Sequence, residues 1–517
     1  MAQTILTGEK ILTDEQLGHL RHFDNLSRLP TNDWSLMSHR TLGQDDFSSY
    51  RYQLAYMIYG SALTHRHRLP AAPGLFQPMI QRLMTKLMDP EVWLFWKETS
   101  RGHAVYNEHL TDTYVEQWDP VVRDNIMYSG YVQSGALLHD YLFDSDRYAE
   151  PGSIKFHHWT PLWGGEAKNF EYDRDSLSDN IYWQMVRNGY LGVACEPNCI
   201  FQICNQPAIL GFRINDMITG SSRAEEVIAN YQAAWKEFGR LDEDGHYNML
   251  ITEDTHDVVP ANRAAWVDGW TGTVLNMWNR DFVRKNYPAQ IADLIITHND
   301  GTISVRPTPQ TFLGMDASMD WCDFGWVAAW ASEMGDDLTR DGLLAYADKR
   351  MNPTYRNGGL YYPRNDDEFD SEGNFIQVDP QVGNVLLGYA RLNIADGLWK
   401  LFNEPWGHEH FQEPALTVVD ADVDVRSAEV VDGVLTARIQ RRTEGTTGSG
   451  TVTIGRALGC GDWKLQIDGV DVAQIRGAQL ELKDGIGSER VRVDDAGDVV
   501  IQTVADHEHH LTLTPQI

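Results

Sequence analysis

Helical periodicity over most of the chain is the feature that most restricts its fold. Between about residue 14 and residue 402, segments with apolar residues spaced three and four apart follow one another, with few strand-like runs between them. Clear cases are SSYRYQLAYMIYGSALTHRH, PVVRDNIMYSGYVQSGALLHDYLF and SRAEEVIANYQAAWKEFG. Roughly a dozen such helices in hairpin pairs predict a mainly α fold, an (α/α)6 toroid of inner helices ringed by outer ones. An irregular α-solenoid is the alternative, although no fixed repeat period is visible.

The pattern changes after NEPWGHEHFQEP, residues 403–414. Short alternating runs follow, separated by Gly and Asp-Gly turns: ALTVVDADVDV, GVLTARIQR, GTVTIG, DWKLQIDGV and DVVIQTV. These runs predict a small all-β domain of about 100 residues, similar to a sandwich. We therefore expect a helical catalytic domain over residues 1–410 and a β domain over residues 411–517. The expected role of the β domain is structural, covering a flank of the helical domain.

Charge and composition exclude several classes of partner. Lysine and arginine number 43 against 74 aspartates and glutamates, and the net charge of −31 disfavours nucleic acid and anionic membranes. No basic end precedes an apolar run at the start, and no stretch approaches about 18 uninterrupted apolar residues. We expect neither a secretory signal nor a membrane span. The cysteines number five, an odd count that argues for a reducing compartment, so a cytoplasmic protein is expected.

The usual metal and cofactor motifs are missing from the sequence. The cysteine cluster has the spacing C-x3-C-x4-C, which is not that of zinc knuckles. The histidine groups lack an H-E-x-x-H helix and are interpreted as solvated loop residues; they are His157-His158, His408-Glu409-His410 and His507-Glu508-His509-His510. Nucleotide-binding and nucleophile-elbow motifs are also missing. The sequence therefore predicts neither a metal nor a cofactor.

The stretch ACEPNCIFQICNQP, residues 194–207, contains Cys195, Cys199 and Cys204. Pro197 fits the first turn of a helix, which would place Cys195 just ahead of its positive end and favour ionisation. An apolar lining would instead keep the thiol neutral, and the sequence leaves both possibilities open. Pro207 predicts a kink or a new helix start before AILGFRINDMITG. Three buried cysteines that act as small hydrophobic residues are the alternative reading.

Aromatic residues are unusually frequent, with 17 tryptophans in the chain. Several form clusters, as in Trp266/Trp270/Trp278 and Trp321/Trp326/Trp330. Large aromatic side chains most often fill a core, and the alternative is that some of them line a pocket.

Two motifs together resemble a known family. NIMYSGY at residues 125–131 and CEPNCIFQIC at residues 195–204 are similar to N-I-M-Y-x-G-H and C-E-P-x-x-x-F-x-x-C of the linalool dehydratase/isomerase family. Further likeness lies in RYQLAYMIYG, AAWVDGWTGTVL and SEMGD, so that the resemblance covers about residues 45–402. It implies an α/α toroid without cofactors. It also implies dehydration of an allylic tertiary terpene alcohol to a diene and isomerisation to the primary alcohol.

The resemblance also assigns candidate site residues. The two active-site cysteines of the family fall on Cys195 and Cys204, and its tyrosine in K-Y-x-I-A falls on Tyr52. The pocket residues of the family correspond to Met127, Phe201, Trp266 and Trp270. An aspartate that reaches the site of a neighbouring subunit aligns with Asp24 by spacing only, and the family likeness makes a homo-oligomer possible.

One departure from the family motif concerns the acid–base chemistry. Tyr131 stands where the family has histidine, and a tyrosine is a neutral donor at physiological pH whereas histidine titrates there. We expect Tyr131 and Tyr52 to bind and polarise the substrate hydroxyl group, while Cys195 and Cys204 shuttle protons. Aromatic faces would stabilise the carbocation character of the intermediate. Auxiliary residues of the expected site are Asp24 or Asp268 as an acid, and Glu196 in a structural or binding role.

Several questions stay open at this stage. The insertion FHHWTPLWGGEAKNFEYDRD, residues 156–175, is a lid or a surface loop, and Cys199 has no assigned role. A carbohydrate-active toroid with two catalytic carboxylates is an alternative function by analogy of fold alone. A non-enzymatic binder of apolar small molecules is a third possibility. The favoured expectation is a cofactor-independent dehydratase/isomerase that acts on an apolar alcohol.

Overall fold

The chain folds into a helical part followed by a part rich in β-strands. The computed structural model describes residues 11–37, 49–102, 104–110, 112–307, 311–312, 315–316, 322–442, 450–459, 461–503 and 507–516. The α-helices are α1 Asp14–Arg28, α2 Tyr50–His67, α3 Pro73–Leu87, α4 Pro90–Trp93, α5 Phe95–Thr99, α6 Ile126–Leu142, α7 Arg174–Arg187, α8 Gln206–Thr219, α9 Arg223–Phe238, α10 Ala265–Leu275, α11 Arg280–Leu294, α12 Asp323–Met334, α13 Asp337–Arg350, α14 Leu387–Leu392 and α15 Gly397–Asn403. A π-helical turn, Val382–Leu386, leads directly into α14.

The strands of the helical part are short and join neighbouring helices. They are β1 Ile154–Thr160, β2 Trp163–Tyr172, β3 Cys199–Phe201, β4 Asn248–Thr252, β5 Val258–Pro260, β6 Ile295–Thr297, β7 Ile303–Val305, β8 Thr311–Phe312, β9 Met315–Asp316, β10 Thr354–Arg356 and β11 Gly359–Tyr361. Each of them pairs with antiparallel neighbours only, as in the sheet β3-β4-β5. The periodicity of the sequence did not predict these strands, because most have only two to five residues.

The long helices pack in a closed circuit of contacts. Helix α2 packs against α6, α6 against α8, α8 against α10, α10 against α12, α12 against α14, and α14 returns to α2. A second set, α3, α7, α9, α11, α13 and α1, packs in that order against the members of the circuit. Every residue of α6, α10 and α12 is buried, whereas α9 buries one face only. A helix that is buried all round lies inside a protein, so the circuit is the inner layer.

The C-terminal part forms two antiparallel sheets. Its strands are β12 Ala415–Val419, β13 Val423–Val431, β14 Val434–Arg441, β15 Thr451–Gly455, β16 Asp462–Ile467, β17 Val470–Arg476, β18 Gln479–Leu482, β19 Val491–Val493, β20 Val499–Gln502 and β21 His509–Pro515. One sheet has the order β12-β15-β20-β19, and the other has the order β13-β14-β21-β16-β17-β18. The change from helical to β-rich structure predicted after residues 403–414 is therefore confirmed.

Backbone hydrogen bonds join the two parts. Ala71, just ahead of α3, donates to the carbonyl of Ala428 at 3.1 Å, and its own carbonyl accepts from Leu416 at 2.8 Å. Close packing accompanies this pairing, because a Cβ atom at Gly74 would lie 2.4 Å from the backbone of Thr417. The guanidinium of Arg21 adds an ion pair with Asp424. The β-rich part therefore covers one flank of the helical part, at α1 and α3.

Candidate active site

The cysteine-rich stretch does not begin a helix at Pro197, contrary to the sequence prediction. The backbone N–H of Cys195 donates to the carbonyl of Cys199 at 2.8 Å, which closes a tight turn with Asn198 at a φ of 71°. The chain then enters β3, and Pro207 stands in the first turn of α8. A proline near a helix start and a proline in a turn give the same local signal. The new helix start predicted at Pro207 is confirmed.

The buried amide of Asn205 fixes the shape of this stretch. Its Oδ1 accepts from the N–H of Val193 at 2.8 Å, and its Nδ2 donates to the carbonyls of Val193 at 3.1 Å and Phe201 at 3.0 Å. A Cβ atom at Gly192 would lie 2.7 Å from this amide, so the close approach requires glycine. Asn205 thereby holds both ends of the segment that carries Cys195 and Cys204.

The side chains of Cys195 and Cys204 lie beside each other, and each thiol affects the pKa of the other. Both side chains are buried, with exposed fractions of 3% and 4%. Burial raises the pKa of each thiol, because a thiolate is poorly solvated there. For Cys195, the neighbouring Cys204 thiol and the N–H of Met127 oppose this shift. Neutral thiols are the favoured state of the pair near neutral pH.

Helix α6 begins directly beside this pair. Its first N–H groups point at the cysteine stretch: Asn125 donates to the carbonyl of Cys195 at 3.1 Å, and Ile126 donates to that of Ala194 at 3.3 Å. The N–H of Met127 reaches the sulfur of Cys195. Cys195 therefore does lie at the positive end of a helix, but that helix is α6, which carries NIMYSGY. The two family motifs meet at this point.

An arginine and a glutamate lie next to the thiols. Arg51, with 3% of its surface exposed, donates to the hydroxyl oxygen of Tyr52 at 3.0 Å and stacks over the rings of Tyr52 and Phe95. Burial disfavours its charge, but the acidic groups of Tyr52, Glu196 and Cys195 outweigh burial and raise the pKa of Arg51. Burial also raises the pKa of Glu196, against the opposing effects of Arg51 and a hydrogen bond from Cys195. The Glu196 carboxyl group, the Arg51 guanidinium and the two thiols therefore affect one another's ionisation.

Aromatic rings surround the groups just described. Tyr52 lies edge-on to Tyr131 and to Trp270, with ring centroids 6.1 and 5.6 Å apart. Trp270 stacks on Trp326 at 4.2 Å, and its indole N–H donates to the hydroxyl of Tyr56. Trp266 and Trp270, four residues apart on α10, present one face of that helix, with centroids 6.4 Å apart. Such faces stabilise positive charge.

Tyr131 has a buried hydroxyl group with no hydrogen-bond partner among the residues that the structure describes. Its ring is 1% exposed and lies 6.2 Å from that of Tyr56 and 6.1 Å from that of Tyr59. Burial raises the pKa of Tyr131 well above 10, and the nearby phenols and Cys204 add to this shift. The group is therefore a neutral donor, and an unsatisfied buried hydroxyl is costly unless something else bonds to it.

Two further pocket residues of the sequence prediction, Met127 and Phe201, are also buried, on the elements that flank the thiols. Met127 is 3% exposed in the first turn of α6, and Phe201 is 6% exposed on β3, opposite Leu250. The structure thus brings together most of the predicted residues: Tyr52, Met127, Tyr131, Cys195, Glu196, Phe201, Cys204, Trp266 and Trp270.

Two predicted aspartates are engaged elsewhere. Asp24 binds Arg28 and Arg82 through its two carboxylate oxygens, each at 2.7 Å, and is 5% exposed. Asp268 accepts from the imidazole of His246 and from the backbone N–H of Tyr247, and it is two residues from both Trp266 and Trp270, on the opposite face of α10. The contacts of these carboxylates are with arginines and a histidine, not with the thiol pair.

Arg51, Tyr56 and Trp326 complete the surroundings of the site. The sequence assigned none of them to it, although Trp326 belongs to one of the tryptophan clusters. RYQLAYMIYG attracted attention only through its likeness to the family. A usable signal was present, because Arg51 precedes a largely apolar stretch of α2 that is buried, and a buried arginine needs a specific partner. Tyr56 and Trp326 carry no comparable signal, since aromatic residues in buried helices most often fill the core.

The insertion at residues 156–175 forms the hairpin of β1 and β2. Phe156 anchors it, with its ring 6.1 Å from Trp93 and 6.0 Å from Tyr128. The far end is exposed: Trp159 is 58% and Leu162 is 94% accessible. The hairpin therefore packs at the N-terminal end of α6 and ends in exposed residues, and its action as a lid stays a prediction.

Across the described parts of the chain, one grouping of side chains has metal-ligand spacing, Asp468 with His507 and His509 in the β-rich part. No described helix combines the length and the apolar character needed to cross a bilayer. The buried centre of the helical part, with its paired thiols and aromatic walls, is the type of site found in an enzyme.

The family model for linalool dehydratase/isomerase matches residues 51–368, which is more than half of the chain. The protein belongs to the linalool dehydratase/isomerase family, as the two motifs predicted, and membership indicates a dehydratase/isomerase.

The chain is also similar to solved structures of low identity. One is an inactive variant of the α-1,6-mannanase GH76A of Salegentibacter sp. HEL1_6 with α-1,6-mannotriose: 12% identity, 73% of this chain and 98% of that chain covered, TM-score 0.40. Another is the Lin0763 protein of Listeria innocua: 11% identity, 77% and 100% covered, TM-score 0.39.

Proposed function

We propose that this protein is a cofactor-independent dehydratase/isomerase that acts by acid–base chemistry on an apolar allylic or tertiary alcohol. The observation that carries the proposal is the neighbouring pair of buried thiols, Cys195 and Cys204, among tyrosines and tryptophans. Family membership supports the same class of reaction. The helical part would be an (α/α)6 toroid over residues 1–410 and the β domain would span residues 411–517, with the closed circuit of inner helices as support.

Binding of the substrate hydroxyl group is assigned to Tyr131 and Tyr52. The Tyr131 hydroxyl group can donate a hydrogen bond to the substrate, since no described residue accepts from it. Tyr52 accepts from Arg51, which directs its own proton away from the guanidinium. Two neutral phenols can polarise an alcohol oxygen without the cost of a buried charge. The hydrocarbon part of the substrate would pack on Phe201, Met127, Trp266 and Trp270.

Proton transfer is assigned to the thiol pair. The substrate hydroxyl takes the proton of Cys204. The C–O bond then breaks with its electron pair on oxygen, so that water departs and an allylic cation remains. The thiolate that remains is stabilised by Cys195 and by the charge of Arg51. It then takes a proton from the carbon next to the cation, which forms the diene and restores the thiol. If water instead adds to the other end of the cation and gives its extra proton to the thiolate, the isomeric alcohol forms and the thiol is restored.

Glu196 is assigned to hold the thiol pair in place for proton transfer. Its carboxylate accepts from Cys195 and faces Arg51, so it positions the Cys195 proton and balances the guanidinium. Asp24 and Asp268, the auxiliary acids expected from the sequence, have other partners in this chain. A homo-oligomer stays part of the proposal, to be measured by light scattering of the purified protein.

The test is turnover of a panel of allylic and tertiary terpene alcohols by the purified full chain in sealed vials, without added cofactor, with product detection by gas chromatography. We expect Cys195→Ala and Cys204→Ala to lower turnover by about 10³-fold or more while the fold is kept. The matched control is Cys199→Ala, which removes the third thiol of the same stretch and should leave turnover within about twofold. Full turnover in both Cys195→Ala and Cys204→Ala would refute the assignment, and binding of every alcohol without any product would make the protein a binder.

A further inference from the structure

A second cluster of chemically active side chains lies in the β-rich part, far along the sequence from the thiols. Asp468 occupies the turn between β16 and β17, His509 is the first residue of β21, and His507 lies two residues ahead of that strand. One carboxylate oxygen, Oδ2 of Asp468, is 2.9 Å from Nδ1 of His509 and 3.7 Å from Nε2 of His507. The three ligand atoms all lie within 4.8 Å of one another.

The backbone prearranges this cluster. Residues two apart along an extended chain point to the same side, so His507 and His509 face Asp468 together. Asp468 has a φ of 54° and Gly469 a φ of 78°, which is the two-residue hairpin turn favoured by Asp-Gly. The N–H of His510 donates to Oδ1 of Asp468 at 2.8 Å, and the N–H of Asp468 donates to the carbonyl of His510 at 2.9 Å. Oδ1 is thus held by the backbone, while Oδ2 faces the two imidazoles.

Nδ1 of His509 and Oδ2 of Asp468 are at hydrogen-bond distance, and the spacing of the three ligand atoms is also compatible with a divalent transition-metal ion. Ligand atoms about 2.0–2.2 Å from a tetrahedral zinc ion lie about 3.3–3.5 Å from each other, and the two measured separations fall on either side of that value. The imidazole centroids are 4.3 Å apart, so both rings reach the same carboxylate oxygen.

We infer that Asp468, His507 and His509 form a binding site for a divalent transition-metal ion of the zinc type. Two imidazoles and one carboxylate are a donor set of such ions, and they are a poor one for magnesium or calcium, which prefer oxygen ligands. Oriented carboxylates and backbone hydrogen bonds around the ligands are a regular feature of metal sites. The remaining coordination position would hold water, because His507 is 57% exposed.

The ion would join the C-terminal strand to the neighbouring turn and to the helical part. Glu508, between the two histidines, points the other way and pairs with Arg438 at 3.0 Å and with Arg426 at 3.4 Å. Arg426 in turn donates to the carbonyl of Leu12 at 3.2 Å and to Asp14 of α1. The site therefore lies at the end of a chain of polar contacts that leads to the junction of the two parts.

The experiment is a calorimetric titration of the EDTA-treated full chain with ZnCl2, with MgCl2 as the comparison, near neutral pH. We expect saturable binding of about one zinc ion per chain, no comparable binding of magnesium, and a rise in Tm that EDTA reverses. His507→Gln and Asp468→Asn should each weaken zinc binding by about tenfold or more. Asparagine keeps the left-handed turn and the acceptor for His510, so Asp468→Asn tests the ligand and not the fold.

The matched control is His510→Gln, which removes an exposed imidazole from the same strand on the side away from Oδ2. Its zinc affinity should equal that of the unaltered chain. The inference is overturned if the unaltered chain shows no saturable zinc binding, or if His507→Gln binds zinc as tightly as the unaltered chain. An equal loss of affinity in His510→Gln would also overturn it, because the ion would then be held by scattered surface histidines.

Discussion

The guanidinium of Arg51 donates to the hydroxyl oxygen of Tyr52 at 3.0 Å and faces the carboxylate of Glu196 and the thiol of Cys195. It is a buried positive charge that interacts with Cys195 and Glu196, and it lies in the first turn of α2. Its presence lowers the pKa of both Cys195 and Glu196 relative to what burial alone would give.

Loss of this charge should therefore change the pH dependence of turnover. We expect Arg51→Gln to lower kcat/KM by about 10²-fold and to move the limb of the pH–rate profile that reports the thiols to higher pH, because their pKa rises. Arg51→Lys should recover part of the rate, since it keeps the charge but loses the planar stacking on Tyr52. A folded Arg51→Gln variant with an unchanged pH–rate profile would contradict this role.

Tyr131 and Tyr59 form a matched pair for separating stability from activity. The Tyr59 hydroxyl is hydrogen-bonded to Ser134 at 2.7 Å, whereas that of Tyr131 has no partner in the described part of the chain. We expect Tyr59→Phe to lower the free energy of unfolding by about 1 kcal/mol, and Tyr131→Phe to leave it unchanged or raise it by up to about 2 kcal/mol. Urea unfolding measures both.

Turnover should respond in the opposite order. Tyr131→Phe is expected to lower kcat/KM by about tenfold or more, because the proposed donor to the substrate oxygen is lost, while Tyr59→Phe changes it little. If Tyr131→Phe destabilised the protein more than Tyr59→Phe does, the Tyr131 hydroxyl would have to be bonded within the protein, and its proposed role would fail.

Gly130 permits close contact between α6, which carries Tyr131, and α8, which begins two residues after Cys204. A Cβ atom there would lie 3.0 Å from the backbone nitrogen of Ala208 on α8. At Gly135, on the same helix, the nearest atom is the flexible thioether sulfur of Met84 at 2.6 Å. We expect Gly130→Ala to lower the free energy of unfolding by about 1–2 kcal/mol and to reduce turnover. Gly135→Ala should cost less than half of that, and an equal cost of the two variants would contradict the prediction.

Glu333 makes stability depend on pH. It is fully buried, and burial raises its pKa to about 7, although Asn276, Asn393 and the N–H of Leu398 donate to it. The folded state therefore binds this proton more tightly than the unfolded state does. Its stabilising contribution is complete below about pH 4.5 and is lost as the pH rises through about 7.

We expect the titration of Glu333 to lower the free energy of unfolding by up to about 3 kcal/mol between pH 5 and pH 8. Glu333→Gln should remove this contribution to the dependence of the free energy of unfolding on pH. Urea unfolding at a series of pH values measures it. Glu226→Gln is the control, because the tyrosines Tyr190 and Tyr182 that donate to Glu226 lower its pKa, and it does not titrate in this window. Identical slopes for Glu333→Gln and the unaltered chain would show that another group is responsible.

The parts of the fold that local patterns determine could be predicted from the sequence. Helices α2, α6 and α9 follow the quoted periodic segments, and the change to strands after residues 403–414 is visible in the alternation. The helix expected at Pro197 is wrong because β3 forms by pairing with Leu250 to Thr252, about fifty residues later in the chain. Such pairing leaves no trace in the local sequence.

The site was predictable where a motif identified the residue and unpredictable where a distant partner decides its role. Cys195, Cys204 and Tyr131 came from motifs, and the structure brings them together. Asp24 was aligned by spacing alone. Its contact with Arg82 on α3 could not be inferred from the sequence. Arg51 was missed because its importance depends on Glu196, which lies far away in the sequence.

The pairing of Ala71 with both Leu416 and Ala428 has a practical consequence for anyone who shortens the chain. A version that stops ahead of Ala415 would leave both backbone groups of Ala71 without their partners and would uncover the side of α3 on which β12 lies. Such a fragment should be prone to aggregation during expression. Gene fusions and reporter tags therefore belong outside the β-rich part, and a circular permutation should not cut between residues 410 and 430.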